Sequence, residues 1–159
     1  MNNDVVQIRL NQFEDDRGSF QKKFSSLVFP NYEICQINQV KTPKGVFRGL
    51  HYQKGQSAES KIFTVNQGII QLVYFEFKGK KADSVIIEAD NTAILIPRGY
   101  ATGYLVLSDT AEVLYYSNND YNPDAESGIR WNDGILSNIH WLASIEQVSD
   151  KDKCWPDMA

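Results

Sequence analysis

Imidazole and thiol are scarce in this chain, with two histidines and two cysteines among 159 residues. Cys35 and Cys154 stand far apart and match neither a metal-ligand nor a redox spacing. They read as reduced thiols in a cytoplasmic protein. Two histidines cannot furnish the several converging imidazoles that a β-barrel iron, zinc or manganese centre takes beside a carboxylate, so no metal is expected. Positive charge is also thin. The formal net charge is −4, and lysines cluster only at Lys22–Lys23 and Lys78–Lys80–Lys81. A nucleic-acid partner would call for a basic stripe, and the second cluster reads as a solvated turn. No apolar run approaches the roughly 20 residues of a membrane helix. The polar start Met1–Asn2–Asn3–Asp4 is unlike a signal peptide. The chain also lacks a Gly-x-Gly-x-x-Gly turn for a dinucleotide, repeats, linkers and low-complexity stretches.

What is present suits an ordinary globule: 42% of residues are hydrophobic and 12% aromatic. A chain of this length can bury about 70% of its unfolded surface without a disulfide or structural metal. The periodicity is that of strands. Residues 62–66 alternate before the turn Asn66–Gln67–Gly68. Residues 69–77 are too apolar on both faces for a solvated edge and read as a buried strand. Further strands are expected over 84–88, 92–96 (stopped by Pro97), 104–107 and 111–116, with a short helical turn near Ser25–Phe29. Many short strands with a turn every ten or so residues predict an all-β sandwich or barrel. The expected organisation is one domain over 1–159.

His51 lies in Gly45–Val46–Phe47–Arg48–Gly49–Leu50–His51–Tyr52–Gln53, flanked by two glycines and an arginine; a lone histidine is more often structural than catalytic. His140, between Ile139 and Trp141, reads as structural. The His51 segment is similar to the Gly-Val-x-Arg-Gly-Leu-His-Tyr-Gln signature of the dTDP-4-dehydrorhamnose 3,5-epimerase family. Other segments resemble the same family in the same order. They are Asp16–Arg17–Gly18 with Phe20 and Phe24, Ile96–Pro97–Arg98–Gly99–Tyr100, and Leu105–Val106–Leu107–Ser108–Asp109–Thr110–Ala111–Glu112. Tyr121–Asn122–Pro123, Gly128–Ile129–Arg130–Trp131–Asn132–Asp133 and Ser149–Asp150–Lys151–Asp152 follow.

The resemblance implies a cupin-type β jelly roll that epimerises C3, C5 or both in a nucleotide-linked 4-keto-6-deoxyhexose, without a cofactor. Inversion beside a carbonyl calls for a base on one face, enolate stabilisation, and an acid on the other. By resemblance His51 is the base, and an imidazole titrates near neutrality. Asp152 would fix its tautomer and raise its basicity. Tyr115 matches the proton donor, and a phenol is protonated at pH 7. Lys61 would sit near the C4 oxygen, where charge develops. Arg48 would bind the diphosphate or the sugar, with Arg17, Gln36 and Asn38 around the nucleotide. The family also implies a homodimer whose N-terminal segments complete each other's sites.

Four positions depart from the family pattern. Thr102 replaces a histidine near the C4 oxygen, and losing one oxyanion donor can cost roughly 100- to 1000-fold in rate. Lys22 replaces a glutamate, Glu76 an aspartate, and Asp120 an aromatic. These leave two rival readings open, a catalytically silent cupin that binds a sugar nucleotide and a nucleotide-sugar 3,4-ketoisomerase.

Overall fold

A computed structural model describes residues 4–158. Of the polar start Met1–Asn2–Asn3–Asp4, only Asp4 is among them. Two antiparallel sheets carry the fold. The first runs in the order β1 (Val6–Arg9), β9 (Thr92–Ile96), β6 (Lys61–Gln67), β11 (Thr110–Ser117), β4 (Gln36–Pro43). The second runs β12 (Glu126–Gly128), β5 (Val46–Gln53), β10 (Tyr100–Val106), β7 (Ile69–Glu76), β8 (Lys81–Glu88), with β13 (Gln147–Val148) parallel to β5. A separate hairpin joins β2 (Gln12–Asp15) to β3 (Gly18–Gln21), and one short helix, α1 (Asp150–Lys153), lies near the end. This is the jelly roll that the sequence implies.

The apolar run at 69–77 forms β7, flanked by β10 and β8 and almost wholly buried. Its β-branched and aromatic residues suit a central strand covered on both faces. Side chains alternating off both sheets fill the space between them: Phe63, Val65, Leu72, Tyr104, Val106 and Val113 form one apolar cluster. A second cluster lies outside the six-stranded sheet, where Phe47, Leu50, Leu105 and Ile129 pack beneath Trp131 and Trp141. The 25–29 segment makes one hydrogen-bonded turn, Phe29 N–H to Ser25 O at 2.9 Å, and no helix. Strand β10 begins four residues before the expected 104, because Gly103 and Thr102 hide its period.

The step from Arg48 to His51 is three residues, which on a regular strand would turn the two side chains to opposite faces. Strand β5 carries one extra residue here. Tyr104 pairs with Arg48 and Thr102 with His51, so three steps on β5 match two on β10. The bulge returns His51 to the inner face beside Arg48. Gly49 makes it possible with φ +120°, and a methyl there would stand 2.5 Å from Gly103 Cα. Gly49 of the motif is thus a geometric requirement of the site.

Candidate active site

Between the sheets opens a cavity of about 280 Å³. His51, Arg48, Thr102 and Tyr104 reach it from the six-stranded sheet, Lys61 and Tyr115 from the five-stranded sheet, and Asp152 from α1. Imidazole and phenol therefore come from opposing walls.

Asp152 arrives from the far end of the chain because Ser149 caps α1, its hydroxyl accepting the Asp152 N–H at 3.1 Å. The carboxylate is buried. Its Oδ1 lies 2.5 Å from His51 Nε2 and accepts Trp155 Nε1–H at 3.2 Å, while Oδ2 accepts Gly49 N–H at 3.3 Å. Burial alone would raise the pKa of this group. His51, the Gly49 amide and the Trp155 indole outweigh that and hold it below the usual carboxylate value. An ionised Asp152 accepts a hydrogen bond from Nε2–H, which leaves the lone pair of the ring on Nδ1.

Tyr115 stands opposite. Burial, reinforced by Tyr104 and Glu59, pushes its phenol upward, so it stays protonated and can give a proton. The Lys61 ammonium lies 6.0 Å from the centre of the Tyr115 ring and 2.9 Å from Glu59 Oε1. Both members of that ion pair are nearly buried, and the Ser117 hydroxyl donates to the other Glu59 oxygen. Glu59 is a site residue that sequence reasoning missed, although it stands only two positions from Lys61.

Thr102 is buried and also borders a side chamber of about 220 Å³, walled by Tyr52, Phe77, Tyr100 and Glu59. Lys61 borders both spaces as well. A third, smaller recess joins Gln36 to His51, Lys61, Tyr115, Tyr121 and Glu126. Gln36 Oε1 accepts Tyr121 N–H at 2.9 Å. Asn38 is the strand partner of Tyr115, and its Nδ2 is buried without a hydrogen bond among the described residues. Glu126 is a further group the sequence did not mark. Burial would raise its carboxyl, but Lys151 and Tyr121 both donate to it and bring it below the usual range.

Two of the expected binding residues lie apart. Arg17 sits at the β2–β3 turn, 89% exposed and paired with Asp15 at 2.6 Å. Glu76 ends β7 opposite Tyr100 and borders none of these three spaces. Lys22 and Asp120 are exposed. Among the described residues no three His, Cys, Asp or Glu side chains form a metal-holding group.

The profile of the family described as dTDP-4-dehydrorhamnose 3,5-epimerase matches residues 2–159. The epimerase of that name from Escherichia coli is 36% identical over 149 residues, which cover 87% of this chain and 80% of that enzyme. A crystal structure of the Bacillus anthracis enzyme with TDP and pyrophosphate bound superposes with a TM-score of 0.90 at 31% identity, covering 98% of this chain and 94% of that one. A dTDP-6-deoxy-D-glucose-3,5-epimerase from Legionella pneumophila, solved with dTDP-4-keto-L-rhamnose, gives a TM-score of 0.86 at 29% identity over 95% of this chain and 86% of the other. With the profile spanning almost every residue and the jelly roll shared, this chain belongs to the dTDP-4-dehydrorhamnose 3,5-epimerase family.

Proposed function

We propose that His51, Tyr115 and Lys61 invert the carbons flanking the ketone of a dTDP-linked 4-keto-6-deoxyhexose, with Asp152 orienting the imidazole. The chain is an epimerase of nucleotide-linked 4-keto sugars in deoxysugar biosynthesis. The observation that carries the assignment of residues is the His51–Asp152 contact of 2.5 Å facing Tyr115 across one cavity. His51 Nδ1 takes a proton from a carbon beside the carbonyl, and Asp152 stabilises the resulting imidazolium. The C–H electron pair becomes an enolate whose oxygen faces the Lys61 ammonium. Tyr115 returns a proton to the carbon from the opposite side. Inversion requires a base and an acid on opposite faces, and the origin of His51 and Tyr115 on different sheets around one cavity supports this reading.

Arg48, at the open edge of the cavity, pairs with the substrate diphosphate, while Gln36, Asn38 and Tyr121 border the nucleotide. In the same reading Arg17 serves the neighbouring subunit of a homodimer, in keeping with its place at an exposed hairpin tip. One catalytic domain covers the chain. Cys35 and Cys154, both free and exposed, suit the reducing cytoplasm.

Incubation with dTDP-4-keto-6-deoxyglucose in D2O, followed by NMR, tests the assignment. Deuterium should enter at C3 and C5, and His51→Ala should lose about 100- to 10,000-fold of that exchange. Undiminished exchange in the variant would remove His51 as base, and no exchange by the wild type would remove the substrate.

A further inference from the structure

The Trp155 indole flanks the His51–Asp152 pair yet borders none of the three spaces described above. Its Nε1–H donates to Asp152 Oδ1 at 3.2 Å, the same oxygen that faces His51 Nε2 at 2.5 Å. Its ring centre stands 6.3 Å from that of the imidazole, with the two planes at 71°. One side chain outside the cavity therefore meets both members of the pair.

Room for the indole comes from Gly128, the strand partner of His51 across β12 and β5. A methyl on Gly128 would lie 2.2 Å from Trp155 Nε1, and the next two atoms it would meet, at 2.4 and 2.6 Å, also belong to the indole. Gly128 does not have the positive φ that calls for glycine at Gly49. Its missing side chain answers to the indole, not to the backbone. Asp152 has need of such a support. It sits on a helix of four residues, and a single turn is marginal on its own. The Ser149 cap holds the backbone there, while the carboxylate is held by Gly49 N–H on Oδ2 and by the indole on Oδ1. A donor on each oxygen fixes the plane in which Oδ1 meets the imidazole.

We infer that Trp155 is a positioning residue for the proposed base: its N–H fixes the Asp152 carboxylate and its ring limits the tilt of the His51 imidazole. The inference rests on the proposed roles of His51 and Asp152. Because the indole borders none of the three spaces, its loss should act on turnover and not on binding.

Two replacements of Trp155 in the full chain test it. Trp155→Phe loses the N–H and part of the ring. Genetically encoded benzothienylalanine at that position puts sulfur in place of the N–H and keeps the ring, whose centre lies 5.7 Å from Lys151 Nζ. With dTDP-4-keto-6-deoxyglucose, both should lower kcat for deuterium exchange about tenfold and leave KM within about twofold, the lower end for one hydrogen bond to a charged group. Gly128→Ala should cost a similar factor in the wild type and nothing further in Trp155→Ala. Unchanged kcat with benzothienylalanine overturns the inference, as does a rise in KM that matches the fall in kcat.

An NMR measurement on the free protein needs no turnover. Of the three tryptophans, Trp155 should give the indole N–H signal that moves most in Asp152→Asn. A Trp155 signal that stays in place overturns the inference even where kcat falls. A wild type that exchanges no deuterium removes the proposed substrate, and the indole signal then decides alone whether Trp155 holds the carboxylate.

Discussion

Asp152 meets three donors, and each has a separate consequence. The His51 contact sets the tautomer, the Gly49 amide ties the carboxylate to the β5 bulge, and the Trp155 indole closes the outer side. Asp152→Asn should keep the shape but offer the ring a donor or a weaker acceptor, lowering exchange by about 100- to 10,000-fold. The same change bears on stability. The folded pKa of Asp152 lies below its ordinary value of 3.8, so near that pH the unfolded state binds more protons. The stabilisation is complete above the ordinary value and is lost as pH falls through the depressed folded value. Urea unfolding of wild type and variant should therefore differ at pH 7 and converge as pH falls through the depressed folded value. A constant gap across that range would count against a carboxylate stabilised in this way. Asp152 stood out in the sequence only through its resemblance, since Asp150–Lys151–Asp152–Lys153 otherwise reads as a solvated charged tail. Glu59 carried no signal, because a lone acid acquires meaning only when the sheets close over it.

Among the elements, β5 does the most to place the site. Its bulge gives Arg48 and His51 a common face, and it relies on Gly49 lying against Gly103. Gly49→Ala adds a methyl to a crowded backbone at a positive φ and should destabilise the fold by about 2–4 kcal/mol in chemical denaturation. Gly18 has the same φ of +120° but nothing within 4 Å of an added methyl. Gly18→Ala should therefore cost only the conformational strain, about 1 kcal/mol. Equal losses for the two variants would mean that crowding at the bulge contributes nothing. Strands β6 to β11 were legible from their period and turns, with the early part of β10 hidden by Thr102 and Gly103, whereas β1 to β5, β12 and β13 were not read as strands. In β5 the extra residue breaks the alternation that marks a strand, and there the bent backbone serves the cavity.

For the whole molecule, the two sheets leave β4 as an edge, paired only with β11 among the described residues. Ile37 on that edge is 56% exposed, and Phe13 and Phe20 of the hairpin are each 61% exposed. Open edges and exposed apolar groups are surfaces that a second copy can cover. Sedimentation should give the mass of two 18.1 kDa chains. Ile37→Asp should shift the population toward one chain and weaken nucleotide binding with it. A wild type sedimenting as a single chain would remove the dimer and the proposed role of Arg17.

The His51–Asp152 pair joins residues 101 positions apart. A ribosome adding roughly 5–20 residues per second makes the imidazole some 5–20 seconds before its carboxylate. A nascent or clipped chain that ends short of α1 still carries every strand of both sheets, Arg48 and Lys61 among their residues, but it lacks Asp152, the group proposed to orient the imidazole. In the proposed mechanism, a cut ahead of α1 would abolish turnover while leaving His51, Arg48, Lys61 and Tyr115 on strands that it does not touch.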